Sequence, residues 1–273
     1  MFVHQRKRSS IGSAFEILEL IYHSIVRNVR KDHNNAMVGL LLNMMQTVVF
    51  VGTFYVMFSV LGLRGSAIRG DFLLYIMSGI FLFMTHVKSM TAVLGSEGST
   101  SAMMKHAPMN TAISITAAAL SALYIQTLSV VIVMYIYHVG FSPITIQNPA
   151  GAYGMFLLAW FTGCSVGLVF LALKPWLPKF VGLASQIYSR ANMIASGKMF
   201  VANQTPGYIL SMFTWNPLFH CIDQARGFAF INYTPHHSSI SYPIYVALVL
   251  TMIGLLGEFY TRKHASASWS AGK

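Results

Sequence analysis

Residues 153–173 read YGMFLLAWFTGCSVGLVFLAL, a run that contains no charged side chain. A helix of about 20 apolar residues is long enough to cross the hydrocarbon core of a bilayer, so this run predicts a membrane-spanning helix. Four further runs of the same character lie at 36–61, 72–92, 111–139 and 241–260. The whole chain of 273 residues is 55% hydrophobic and only 9% charged. The sequence therefore predicts an integral membrane protein.

A sixth and more polar segment runs from residue 180 to residue 200, and hydropathy alone would reject it as a span. Its polar and charged side chains are Gln186, Arg190, Asn192 and Lys198. Basic residues cluster before the first span and directly after the last one, which predicts that both chain termini are cytoplasmic. Termini on one side require an even number of crossings, so we expect this segment to be the sixth span. The basic residues then favour the cytoplasmic side by about three to one.

The predicted fold class is an all-α membrane protein with one domain, residues 1–273. Residues 1–35 are expected to form a cytoplasmic interface region, residues 36–260 a six-span core and residues 261–273 a short cytoplasmic tail. Residues 11–30 place apolar side chains on one helical stripe and charged side chains on another. Such an amphipathic helix suits the membrane surface, although a surface helix packed on protein would show the same pattern.

Several function classes find no support in the sequence. The formal net charge of +11 comes from Lys and Arg residues beside apolar spans, so we expect no nucleic-acid partner. The two cysteines and the adjacent His236 and His237 have no metal-ligand spacing. There is no zinc-protease helix motif and no pair of carboxylates inside a span. No catalytic, cofactor-binding or metal site is therefore predicted.

The sequence also shows no energy source of its own. Its nearest match to a phosphate-binding loop is SGK at residues 196–198. That loop would need Gly in place of Asn192 and Ser or Thr in place of Met199, so ATP binding is not predicted. A carrier driven by an ion gradient would usually bury a carboxylate in mid-membrane. The seven acidic residues fall outside the predicted spans or at a span end, which gives ion coupling little support.

The stretch TWNPLFHCIDQARGF at residues 214–228 concentrates polar side chains between two apolar segments. Asn216 can cap a helix, Pro217 fits its first position and Gly227 suits its end, so a short helix is predicted. One face would carry Leu218, Ile222 and Ala225, and another would carry His220, Asp223 and Arg226. This pattern predicts a helix half-buried at the outer membrane boundary. It would serve either in gating or as an anchor braced by a local Asp223–Arg226 pair.

These features resemble the membrane subunit of type-2 ABC exporters, and most of all the branch that exports capsular polysaccharide. The resemblance extends over nearly the whole chain, from the surface helix through six spans to a short basic tail. Its distinctive motifs are Arg190, Ser196–Gly197, a polar linker, Asn216–Pro217–Leu218, His220 and Arg226. Lys198 and the linker at 202–207 depart from the family, which usually continues after Ser-Gly with apolar and aromatic residues.

The resemblance implies a homodimeric permease in the bacterial inner membrane, with two separate ATPase subunits that bind the ATP. A periplasmic adaptor, an outer-membrane export channel and membrane lipid are the further partners it implies. The loop between the second and third spans would form a coupling helix at about 99–110, whose candidate ATPase contacts are Ser99, Met103, Met104, Lys105 and His106. Two short re-entrant helices would form an outer gate with the residues Asn216, Pro217, His220, Asp223 and Arg226.

Candidates for a substrate path lie inside the predicted spans. Arg190 is an intramembrane cation, which requires a cavity or a partner. An anionic polysaccharide or a lipid phosphate would suit it, and so would a structural hydrogen bond to a neighbouring helix. Flat aromatic rings can stack on sugars, and the candidates of this kind are Tyr135, Trp160 and Tyr188. Most aromatic residues in such a protein face lipid or the membrane interface instead.

The sequence thus favours a permease subunit that exports lipid-linked capsular polysaccharide, with ATP hydrolysis in a partner chain. An exporter of another lipid-linked glycan, such as O-antigen or teichoic acid, is the alternative within the same class. A membrane enzyme that acts on glycans or lipids is the alternative from a different class.

Overall fold

The computed structural model describes residues 10–31, 36–60, 62, 71–98 and 110–264. All regular secondary structure within these ranges is helical. The helices are α1 Ser10–Lys31, α2 Ala36–Val60, α3 Phe72–Leu94, α4 Thr111–Gly140, α5 Pro149–Leu173, α6 Pro178–Ala195, α7 Gly207–Leu210, α8 Pro217–Ala229 and α9 Ser241–His264, with a 3-10 turn at Ala202–Gln204. The all-α prediction is confirmed for this part of the chain.

Five of these helices are long and apolar enough to span a membrane. They are α2, from Met37 onward, and α3, α4, α5 and α9, with lengths of 23 to 30 residues. Each coincides with one of the five apolar runs in the sequence, so those five predictions are confirmed. The chain is accordingly a multi-pass membrane protein.

Short polar side chains determine where two of these helices begin. Asp71 accepts a hydrogen bond from the Leu73 amide at 2.9 Å, and Asn148 accepts one from the Gly151 amide at 2.9 Å. The first turn of a helix leaves its backbone N–H groups unpaired, and these acceptors satisfy part of that need. Pro149 follows Asn148 and supplies a φ angle that already suits the first turn of α5.

The bundle is built around α3 and α5. In the most apolar 18-residue stretch of α3, 67% of the residues are buried, compared with 22% in the corresponding stretches of α2 and α9. Two glycines on α5 permit its close approach to α3. A Cβ atom at Gly163 would lie 2.3 Å from the His86 carbonyl oxygen, and one at Gly167 would lie 2.6 Å from the Met90 carbonyl oxygen. Small residues four positions apart let two membrane helices pack backbone against backbone.

Helix α6 covers the polar segment, but it ends at Ala195, earlier than the sequence predicts. The reason is the turn that follows, in which Gly197 adopts a φ of 74°. Glycine tolerates this left-handed conformation, which other residues rarely adopt. Helix α6 joins the bundle through His86 on α3, whose Nε2 lies 2.9 Å from the Tyr188 hydroxyl. The Nδ1 of the same ring lies 3.0 Å from the Thr162 hydroxyl on α5, so His86 links three helices.

Hydrogen bonds show which helix ends lie together at one end of the bundle, which we call the Asp71 end. The Asp71 carboxylate accepts hydrogen bonds from the hydroxyls of Tyr137 and Ser142 at the end of α4. Burial raises the pKa of Asp71, but these bonds and those from the backbone outweigh burial and hold it below its usual range. The Asn148 amide at the start of α5 donates to the Phe228 carbonyl at 2.9 Å, which brings the end of α8 to this same end.

The opposite end of the bundle, the Leu94 end, carries the ends of α3, α5 and α9. Lys174 Nζ donates to the Leu94 carbonyl at 3.2 Å, and Trp176 Nε1 donates to the Thr261 hydroxyl at 2.9 Å. Helix α6 starts here, because its first residue, Pro178, is two residues after Trp176 in the chain.

Candidate functional site

Helix α8 is the candidate functional site, because it brings charged side chains into an apolar bundle. Its predicted start is confirmed: the Asn216 side chain accepts a hydrogen bond from the Leu218 amide at 3.0 Å, with Pro217 in the first turn. The amide group of the same side chain donates to the Asn192 side chain at 2.9 Å and to the Ala195 carbonyl at 3.0 Å. Asn216 therefore both caps α8 and joins it to the end of α6.

The predicted end of α8 at Gly227 is wrong. The helix continues to Ala229, and the Phe230 amide closes it by donating to the Arg226 carbonyl at 2.9 Å. Gly227 is required for a different reason, since a Cβ atom there would lie 2.6 Å from the Pro235 ring. The glycine lets the following loop pack against the helix rather than ending it.

The prediction that α8 is half-buried is also wrong, because the helix is buried nearly all round. The exposed fractions on its predicted polar face are 6% for His220, 2% for Asp223 and 1% for Arg226. On the apolar face, Leu218 and Ile222 are exposed by 0% and 1%. Both faces are covered because α3 and α5 pack against the helix and two connecting loops fold over it.

Arg226 holds the turn that follows α6. Its Nη1 donates to the carbonyl oxygens of Gly197 at 2.9 Å and Phe200 at 2.8 Å, and its Nη2 donates to that of Lys198 at 2.8 Å. The guanidinium carbon lies 4.2 Å from the centroid of the Tyr75 ring on α3. Three carbonyl dipoles and one aromatic face thus stabilise the buried positive charge.

Asp223 holds a different segment, the loop that leads into α9. Its carboxylate accepts a hydrogen bond from the Tyr233 hydroxyl and another from the Ser238 hydroxyl at 2.7 Å. Burial and the neighbouring Asp223 carboxylate raise the pKa of Tyr233, which keeps its hydroxyl protonated and able to donate. Gln224 strengthens the same attachment by donating to the Ser238 carbonyl at 2.9 Å.

His220 connects both sides of the helix. Its Nε2 lies 2.7 Å from the Thr214 carbonyl, which can only accept, so Nε2 carries the proton and donates. Its Nδ1 accepts from the Ser239 amide at 3.0 Å. This pattern requires the neutral ring, and the ring packs against Tyr242 with 4.7 Å between centroids.

The three side chains of the predicted polar face therefore bind different partners: Arg226 the turn at 197–200, Asp223 the loop at 233–238, and His220 the backbone of Thr214 and Ser239. We call these attachments the clamps of α8. Among the residues that the structure describes, Asp223 and Arg226 make no ion pair with one another. Of the two interpretations left open by the sequence, an anchor braced by a local Asp223–Arg226 pair is wrong. Arg226 instead binds residues 197–200, which precede the helix in the chain, and Asp223 binds residues 233–238, which follow it.

Lys198 is the most unusual residue in this region. It is 3% exposed, and its Nζ has no hydrogen-bond partner among the described residues. The ammonium nitrogen lies 3.5, 4.8 and 5.0 Å from the ring centroids of Phe83, Phe54 and Phe50. The sequence marked Lys198 as a departure from the family but gave no partner for it. The spacing of Phe50 and Phe54 by one helical turn was the available signal.

The predicted substrate-path residues are not gathered around α8. Arg190 is exposed on α6, and Tyr188 on the same helix bonds to His86. Trp160 donates to the Ala119 carbonyl at 2.8 Å and so joins α5 to α4. Tyr135 is 67% exposed on α4. These four residues lie on three helices, and two of them, Trp160 and Tyr188, bond to neighbouring helices.

A cavity of about 1300 Å³ opens between α1, α2, α3 and α4, towards the Leu94 end. Its basic lining includes Arg27 and Lys88, and the Lys88 Nζ donates to the Gln46 side chain at 2.7 Å. Asn43, which also lines the cavity, donates to the Ser129 hydroxyl at 2.9 Å. The sequence analysis did not identify this cavity, because its walls come from four separate helices.

The predicted ATPase contacts Ser99, Met103, Met104, Lys105 and His106 lie outside the described residues. The described chain resumes at Asn110, which caps α4. In the part of the chain that the structure describes, no group of three His, Cys, Asp or Glu side chains could hold a metal ion.

Comparison of the sequence with protein-family models gives no match, and a search of curated proteins gives none either.

Proposed function

We propose that this chain is the membrane permease subunit of an ATP-driven exporter that moves lipid-linked capsular polysaccharide across the bacterial inner membrane. The observation that carries the proposal is the path of residues 196–229 between α6 and the last apolar helix. This segment starts inside the bundle at the end of α6 and reaches the Asp71 end, from which the last helix starts. A polar segment with this path is what the resemblance to type-2 ABC exporters implies for an outer gate.

The path is supported by contacts at three depths. Helix α6 begins at the Leu94 end, where Trp176 contacts Thr261. After it, Lys198 packs against Gly79, which lies within α3, so the chain has not yet reached the Asp71 end. Helix α8 then reaches that end, where Phe228 accepts from the Asn148 amide. On this basis α6 is proposed as the sixth crossing, and α7 and α8 as the re-entrant helices.

The orientation follows from charge. The Leu94 end is proposed to be cytoplasmic, because α9 ends there with the basic residues Arg262 and Lys263 in its last turn. Helix α1 is proposed to lie on the inner membrane surface. Its apolar stripe is uncovered in the single chain, with Phe15 68%, Leu18 61% and Tyr22 63% exposed, which suits contact with lipid.

The clamps of α8 give the proposed gate a physical basis. Arg226 and Asp223 tie the turn at 197–200 and the loop at 233–238 to one helix. A displacement of α8 would therefore move both segments together, as a gate requires. ATP would act through two partner subunits, with residues 99–110 as the coupling segment. A second copy of the chain would complete the path.

Purification of the tagged chain from its native membranes tests the proposal. We expect an ATPase subunit to co-purify, and inverted membrane vesicles to take up lipid-linked polysaccharide only with ATP. Turnover of a lipid-linked substrate by the isolated chain, without any ATPase, would instead identify an enzyme.

The coupling segment can be tested in the same vesicles. Lys105→Glu should abolish ATP-dependent uptake while the protein stays in the membrane. The matched control is Lys263→Glu at the end of α9, which should leave uptake intact. Equal uptake by both variants would contradict a coupling role for the segment at 99–110.

Cysteine labelling tests the orientation. Single cysteines at Gln147 and His237, both exposed, should react with an impermeant reagent added to spheroplasts. A cysteine at Ser99 should react only after permeabilisation. Labelling at Ser99 in intact spheroplasts would overturn the six-crossing topology.

A further inference from the structure

Among the residues that the structure describes, no carboxylate pairs with the ammonium group of Lys198 to balance its charge. From α2 it faces Phe50 and Phe54, and from α3 it faces Phe83. The charged group nearest to its backbone is Arg226, itself a cation, which donates to the Lys198 carbonyl. Asp223 is bonded to Tyr233 and Ser238 on another side of α8, so it does not compensate the amine.

An ammonium group in this position is costly for the protein. Removal of a charge from water is strongly unfavourable, and contact with aromatic faces offsets only part of that cost. A methionine or leucine would fill the space between three Phe rings without any such cost. The backbone at Lys198 is nevertheless held firmly, by Arg226 and by close packing against Gly79. Packing alone therefore does not account for a lysine at this position.

The cover over Lys198 comes from the less tightly packed side of the bundle. Phe50 and Phe54 belong to α2, in which only 22% of the most apolar 18-residue stretch is buried. Phe83 belongs to α3, in which 67% of that stretch is buried. A small outward movement of α2 would uncover the amine without disturbing the α3–α5 core. The long, flexible lysine side chain could then extend towards the uncovered space.

We propose that Lys198 recognises the carboxylate or phosphate groups of the transported chain, and that Phe50, Phe54 and Phe83 hold its side chain until α2 moves. This inference rests on the proposed function and names the substrate class as an anionic polymer. Two neighbouring cations, Lys198 and Arg226, make the region selective for negative charge. Arg226 is already committed to three carbonyl groups, so Lys198 is the residue free to bind the ligand.

Binding to the purified permease–ATPase complex in nanodiscs tests the inference. The probes are oligogalacturonate, which is anionic, and dextran of the same length, which is neutral. The wild-type complex should bind oligogalacturonate about tenfold more tightly than dextran, as expected for one charge-assisted hydrogen bond. Lys198→Met should remove this preference, Lys198→Arg should retain it, and the control Lys179→Met should leave it unchanged.

A second variant tests the three rings of Phe50, Phe54 and Phe83 around Lys198, which we call the cage. Phe50→Ala opens the α2 side of the cage and should strengthen oligogalacturonate binding, whereas the double variant with Lys198→Met should not bind it better than dextran. Melting temperatures establish that each variant is folded.

Two results would overturn the inference. One is equal affinity of the wild-type complex for both probes, including no binding of either. The other is unchanged discrimination in folded Lys198→Met. Neither result touches the proposed function, which depends on ATPase co-purification and ATP-driven uptake.

Discussion

Helices α6 and α8 both carry polar and charged residues, yet the fold treats them in opposite ways. In α8 the charged side chains are buried and hydrogen-bonded, and ten of its 13 residues are buried. In α6 the buried residues are only Val181, Ser185 and Asn192. Its arginine, Arg190, is exposed, as are the apolar Leu183 and Ile187. Charged residues therefore stabilise the interior of the bundle in α8, whereas in α6 they lie on an exposed face.

The comparison indicates that the role of a charged residue in a membrane helix depends on its hydrogen-bond partners and its exposure. A cation such as Arg226 that donates to three backbone carbonyls is part of the scaffold, and its loss leaves buried acceptors unpaired. A cation such as Arg190 that faces outward is available to a partner, a ligand or the membrane interface. In the proposed homodimer, the uncovered face of α6 is where a second copy or the substrate would meet the chain.

The largest expected effect comes from exchanging the two charges of α8. Asp223→Arg combined with Arg226→Asp should abolish accumulation of the folded protein, because each new side chain meets the wrong partners. Carbonyl groups would face a carboxylate, and the Tyr233 hydroxyl would face a guanidinium. The measurement is the amount of protein that migrates as a single species in detergent. Normal accumulation would show that the two residues do brace each other and that the observed clamps are unimportant.

Arg226→Met should produce the next largest effect. The change leaves the carbonyls of Gly197, Lys198 and Phe200 without their donor, and we expect a loss of about 3 kcal/mol or more in unfolding free energy. The matched control is Arg190→Met on α6, which should change stability by less than about 0.5 kcal/mol because the side chain is exposed. Thermal unfolding in detergent compares them. Equal melting temperatures for the two variants would remove the distinction between α6 and α8.

A pair of glycines offers a smaller and sharper test. In Gly79→Ala the new Cβ would lie 2.8 Å from Lys198 Cβ and 2.9 Å from its Cα, so we expect a loss of about 1–3 kcal/mol. In Gly182→Ala on α6 nothing lies within 4 Å, and alanine should instead stabilise the helix by up to about 1 kcal/mol. Melting temperatures should therefore shift in opposite directions. A shift of the same sign in both variants would argue against close packing at Gly79.

The smallest expected effect is the difference in stability between two cap variants, which measures the connection between the two helices. Asn216→Ala removes a helix cap, worth about 1 kcal/mol, together with the bonds to Asn192 and Ala195. The control is Asn148→Ala, which removes the cap of α5. In the wild type the Asn148 side chain accepts a hydrogen bond from the Gly151 amide. Asn216→Ala should be the more destabilising, and the difference measures the link between α6 and α8. If both variants lose the same stability, that link contributes nothing.

Hydropathy was sufficient to predict the five apolar helices, and capping chemistry was sufficient to predict the start of α8. Both signals are local: a run such as 153–173 needs about 20 apolar neighbours, and a cap such as Asn216 acts on the next few residues. The end of α8 could not be predicted in the same way. Gly227 is typical of a helix end, but here a loop from further along the chain packs against it.

Burial and pairing were decided by the tertiary structure alone. Arg226 finds its acceptors at 197–200, and Lys198 finds its aromatic rings on α2 and α3, far away in sequence. A side chain's periodicity shows which face of a helix it occupies but not what covers that face. For this reason α8 was predicted to be half-exposed and proved to be buried, since the covering segments come from distant parts of the chain.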